Sequence, residues 1–155
     1  MYDADVGKDD CASNLAKGAK PEIHRLDART VLFGFPCWQG AYQGSTAYYL
    51  FSETTPPKAQ RISLPRPPVR RSPDQGSEPA SPLHIVTGDG YSPDLGEITE
   101  FGKGRGLGDC GVTGTWRWTG SAFALTSYSS MPVCGGLDPD DWLTLFRSRE
   151  RPQQP

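Results

Sequence analysis

The sequence is short of histidine, of long apolar runs and of net charge, and each shortage removes a class of function. It has two histidines, His24 and His84, each read as a surface or edge-strand residue rather than a catalyst. No apolar stretch approaches the roughly 18 residues that span a bilayer, so no membrane span is expected. A net charge of −2 leaves no broad basic footprint, which argues against nucleic acid as a partner. The N-terminus, MYDADVGKDD, has neither a basic region nor an apolar core and does not read as a signal peptide; the chain is taken as cytosolic, or as a mature or truncated form. None of the four cysteines, at positions 11, 37, 110 and 134, falls in a C-x-x-C pair. Zinc ligands usually come in such close pairs, so no metal is expected, and no cofactor. An even set of this kind reads as two disulfides in an oxidising compartment, with four reduced buried thiols as the alternative.

What is abundant is turn-forming. The 155 residues include 18 glycines and 15 prolines, and hydrophobic residues make up only 35%. The length fits a single domain, 1–155. Residues 9–20 read as a short helix, capped by Asp9 or Asp10 and ended by Gly18 and Pro21, with Cys11 in its first turn. Residues 22–52 form a first β region. Its VLFGF run carries Gly34, a sign of a bulge or close backbone approach. A decorated loop at 37–45 separates that run from TAYYLF. Residues 56–82 hold eight prolines and read as a mobile loop too poor in apolar residues to repay ordering, with ISLP (62–65) as a brief edge strand.

Residues 83–130 make a second β region, in which Ile98 and Phe101 are assigned to the core. Its clearest hairpin runs from TGTWRW through Thr119-Gly120-Ser121 into AFALTSY. Residues 138–147 read as a C-terminal helix: Asp138 caps it, Pro139 opens it, and Trp142, Leu145 and Phe146 make its apolar stripe. The fold class is mainly β: an antiparallel β-sandwich or open barrel with short terminal helices and a Pro-rich insertion.

Three blocks carry a family resemblance: LFGFPCWQGAYQGSTAYYLF, EITEFGKGRGLGDCGVTGTWRWTGSAFAL and MPVCGGLDPDDWLTLFRS. Together they resemble a bacterial family of exported proteins known as domain of unknown function 1176. The family's pattern is a Cys with a Gly-Ala-Tyr-Asn turn, then Gly-Arg-Gly-x-Gly-Asp-Cys-Gly before a Trp-x-Trp-x-Gly hairpin, then a late Cys and a terminal Trp. Gln43 stands where the family usually has Asn. The resemblance implies a periplasmic or secreted protein and supplies no activity.

The segment KGRGLGDCG (103–111) formally fits G-x-G-x-x-G. A dinucleotide loop needs a helix after it, and here a strand follows. A bare anion nest of backbone N–H groups, aided by Lys103 and Arg105, is less demanding. Counting outward from Gly120 places position 110 opposite about 130, just before Cys134, which pairs Cys110 with Cys134 and leaves Cys11 for Cys37. Arg105 and Asp109 are spaced for a bidentate ion pair across the turn. Ligand-binding candidates are Arg105, Asp109, Lys103, Trp38 and Tyr42, the aromatics because exposed Trp and Tyr suit protein or glycan surfaces. The expectation is a monomeric, non-catalytic cell-envelope protein that binds a protein or glycan. The alternatives are an enzyme acting on envelope material, with Arg105 and Asp109 in its cleft, and a purely structural domain.

Overall fold

The computed structural model describes Cys11 and residues 18–70 and 77–149. Two antiparallel five-stranded sheets pack face to face as a sandwich. The first contains β1 (Glu22–Arg25), β2 (Thr30–Gln39), β3 (Gly44–Ser52) and β4 (Lys58–Arg61) in chain order, and β7 (Val86–Thr87) also pairs with β3. The second has the order β12 (Leu143–Arg147), β11 (Phe123–Met131), β10 (Gly111–Trp118), β9 (Glu97–Lys103), β8 (Gly90–Ser92). A small ribbon of β5 (Val69–Arg70) and β6 (Ser77–Glu78) lies in the Pro-rich insertion.

Period-two alternation decides what each sheet buries. Leu32 and Tyr48 from the first sheet meet Ile98, Trp116, Phe123 and Tyr128 from the second in the main core. Tyr48 fastens the two sheets: its hydroxyl accepts the Tyr91 backbone N–H of β8 at 2.9 Å. Gly34 lies directly across from Tyr48 in the β2–β3 ladder, and a Cβ there would come within 2.8 Å of the Tyr48 ring. The glycine inside an apolar strand is therefore the seat of that ring. The opposite face of the first sheet is also covered. Cys37, Ala47 and Tyr49 form a second cluster there with helical Cys11, to which Cys37 is disulfide-bonded. Residues 9, 10 and 12–17 of the expected N-terminal helix lie outside the described residues.

Three expectations need correction. The C-terminal helix is a single 3₁₀ turn, Pro139–Asp141, followed by the extended edge strand β12. The Asp138 cap is present, its carboxylate accepting the Asp140 N–H at 3.1 Å, but the helix it starts does not propagate. β11 offers an unpaired ladder, and pairing Ser127–Ser130 with Leu143–Arg147 satisfies more backbone than one isolated amphipathic turn would. Phe101 does not share the core with Ile98; residues three apart in a strand face opposite ways, and its ring packs edge-on against Trp142 at 5.9 Å.

The Pro-rich insertion does bury apolar side chains: Ile62, Leu64 and Val69 belong to the main core. It is fastened by reciprocal Leu64–Leu83 backbone hydrogen bonds at 2.9 and 2.8 Å, and by the Trp116 indole N–H donating to the Pro65 carbonyl at 2.7 Å. Residues 71–76 of the expected mobile loop lie outside the described residues.

Candidate functional site

The three sequence blocks converge at one end of the sandwich. The β2–β3 turn reaches the β9–β10 loop through Gln43, whose side-chain oxygen accepts the Lys103 N–H at 3.0 Å. Tyr42 beside it lays its ring on Gly106, where a Cβ would come within 3.3 Å of the ring. The third block is attached by the Cys110–Cys134 disulfide. Asp109 makes a second attachment: it binds the Arg105 guanidinium through both oxygens, one of them at 2.7 Å from Nε, and accepts the Gly136 N–H at 2.8 Å. One buried carboxylate thus clamps its own loop and the loop beyond β11. Two disulfides fit an oxidising, extracytoplasmic environment, and no helix among the described residues is long and apolar enough to cross a membrane.

The hydrogen bonds of Arg105, with that of Gly136, hold the Asp109 carboxyl well below the usual carboxylate range against the opposing effect of burial. A depressed carboxyl adds stability that is complete above its unfolded value, about 4, and fades as pH falls toward the folded one. Thermal unfolding followed from pH 7 to pH 2 should therefore show wild type well above Asp109→Asn at neutral pH. The gap should close progressively below about pH 4. A pH-independent gap would mean that the clamp does not depend on the charge.

Three of the N–H groups that an anion nest at KGRGLGDCG would draw on are committed elsewhere. The Gly104 N–H bonds the Cys110 carbonyl at 2.8 Å, the Gly108 N–H bonds the Arg105 carbonyl at 2.9 Å, and the Lys103 N–H is held by Gln43. Lys103 Nζ lies over the Phe101 ring, 5.1 Å from its centroid. The segment passes straight into β10 at Gly111, which has φ +134° and no room for a Cβ beside the Gly102 carbonyl. Asp109, Cys110 and Cys134 bring their ligand atoms within 4.8 Å of one another, which the disulfide and the Arg105 pair account for. Trp38 and Tyr42 are 52% and 74% exposed, with the Trp38 ring folded over Gly40. Leu107 and Val133, on the neighbouring loops, are 81% and 51% exposed.

Beneath this end, a cleft of about 330 Å³ opens between the sheets. Arg66, Ile85, Glu100, Gly102, Val112 and Met131 are among its lining residues; Arg105 and Asp109 are not. Glu100 is 7% exposed and accepts the Tyr128 hydroxyl at 3.3 Å. Burial first, and then the nearby Glu100 charge, push the Tyr128 phenol above its ordinary value, which keeps it a donor. Sequence reasoning missed Glu100, Tyr128 and Arg66. The available signal was the alternation in EITEF, which puts Glu100 on the same face as Ile98.

Comparisons with known proteins agree with the resemblance. Over 114 residues the chain is 31% identical to "Uncharacterized protein YpfG" of Escherichia coli (strain K12). The matched segment covers 73% of this chain and 31% of that protein, so the chain spans about a third of the relative's length. No solved structure matches. The family model described as "Protein of unknown function (DUF1176)" matches residues 2–149, and the chain belongs to that family.

Proposed function

We propose that this domain is a non-catalytic binding protein of the cell envelope, periplasmic or secreted, that takes a protein partner on its stapled loop end. One observation carries the reading: exposed Tyr42, Leu107 and Val133 sit on three loops held to one another by side-chain contacts, a disulfide and a carboxylate clamp. Exposed apolar side chains on a rigid frame lose little conformational freedom when they are covered, so the binding free energy is not spent on ordering them. Tyr and Trp are the residues most often dominant in protein interfaces. Leu107 and Val133 are aliphatic and offer no ring for a sugar to stack on, which favours a protein at this end. The commitment of Asp109 to Arg105 and Gly136, with neither Arg105 nor Asp109 lining the cleft of about 330 Å³, supports the binding reading over the enzyme alternative.

The test is affinity capture from periplasmic extract with the oxidised protein, in parallel with a Tyr42→Ala/Leu107→Ser variant of unchanged melting temperature. A stoichiometric protein captured by wild type should be lost with the variant. Equal capture by both, or no stoichiometric partner, would overturn the reading; the latter would favour a structural domain.

A further inference from the structure

We propose that β12 is a self-association edge, by which two copies of this domain pair antiparallel and join their second sheets into one. β12 (Leu143–Arg147) ends its sheet, and no described strand pairs with its outer side. An open edge offers a row of backbone N–H and C=O groups to any other strand, and domains that stay single guard their edges with charge or by keeping them very short. The other edges here are guarded in those ways. β7 and β8 have two and three residues. β1 has Glu22 and Arg25 among its four residues, and β4 has Lys58 and Arg61 among its four. β12 is longer than any of these and reads LTLF before its single charge, Arg147.

The side chains of β12 are as open as its backbone. The ladder sets Leu143 opposite Ser130 and Phe146 opposite Tyr128, both buried, so Leu143 and Phe146 lie on the core-facing side of the sheet. They are nevertheless 64% and 39% exposed, because the cover over the core stops short of this edge. Charge names the occupant. Asp140 and Asp141 precede β12, Arg147 closes it and Arg149 follows, and all four are exposed. A strand with acid at its start and base at its end matches a second copy of itself only when that copy is reversed. Antiparallel pairing about a two-fold axis near Thr144 and Leu145 brings the acidic turn of each copy beside the arginines of the other, and Leu143 of each beside Phe146 of the other. Parallel pairing sets like charges side by side. The isologous contact uses up both edges, so assembly stops at two copies instead of growing into a fibre. A five-residue ladder buries less than the roughly 1,200 Å² of a standard interface, so the dimer is weak and the monomer is the dilute form.

Sedimentation velocity on the oxidised protein, from about 1 µM to about 500 µM, should show a monomer–dimer equilibrium with a Kd on the order of 100 µM. Diluting labelled wild type should shift the amides of residues 143–147, a readout independent of how well any variant folds. Leu143→Lys, at a side chain already mostly exposed, should weaken the dimer about tenfold by placing a charge on the edge. Asp141→Arg and Arg147→Asp should each weaken it about threefold to tenfold, and the double variant should recover most of the wild-type affinity, since it restores opposite charges across the two-fold axis. Tyr42→Ala should leave the equilibrium unchanged, which separates this edge from the protein-docking end. A monomer throughout that range, species larger than the dimer, shifts confined to other residues, wild-type association of Leu143→Lys, or a double variant weaker than both single ones would each overturn the proposal.

Discussion

Replacing Trp116 with alanine is expected to cost about 3–5 kcal/mol, a large part of what a domain of this size has. The indole is fully buried and meets the Tyr128 ring edge-on at 6.0 Å. Gly114 leaves the space it occupies, since a Cβ there would run into the Trp116 and Tyr128 rings. The Trp116 indole N–H also donates to the Pro65 carbonyl at 2.7 Å. Two contributions can be separated. Trp116→Phe keeps most of the apolar bulk but strands that carbonyl, at about 1–3 kcal/mol. Urea unfolding of the two variants measures both; a loss below about 1 kcal/mol for Trp116→Ala would refute the assignment of Trp116 as the centre of the core.

Removing the Cys110–Cys134 bridge by a double serine substitution is expected to cost about 3 kcal/mol, from the entropy of a loop whose ends lie 24 residues apart. The same two loops are joined by Asp109 and the Gly136 N–H, so part of the constraint survives without the sulfurs. Combining the double serine with Asp109→Asn should therefore destabilise by more than the sum of the separate effects, because each tie limits the damage of losing the other. Denaturant midpoints of the three variants, with oxidised wild type as reference, supply the cycle. Strict additivity would mean that the two ties act independently.

The hairpin of β10 and β11 was legible because every local signal agreed: Trp116 and Trp118 two apart, a glycine in the turn, and a return run of β formers. The same register placed residue 110 near Cys134. The C-terminal strand was not legible, since Trp142, Leu145 and Phe146 obey the helical spacing and Asp138-Pro139 is a sound helix start. What decided it was β11's open edge, a partner 15 or so residues upstream that no local pattern reveals. In the insertion, eight prolines masked three core side chains, because composition averages over the few positions that matter. The spacing of Arg105 and Asp109 allows the ion pair they form; the third member, Gly136, leaves no sequence signal because it contributes a backbone N–H. Glu100 shares the strand face of Ile98, a signal in the alternation of EITEF that its burial bears out.

The Trp116–Pro65 hydrogen bond joins positions 51 residues apart. It bears on the order in which the chain can become a domain. As the chain is made from its N-terminus, β1 to β4 and the Pro-rich segment emerge with one apolar face and nothing to cover it. The core closes only when β9, β10 and β11 arrive, so the first half must wait as an open sheet rather than fold ahead. A chain cut before Met131 is expected to be a substrate for proteases and chaperones, and the long separation of its contacts puts the intact domain among the slow folders.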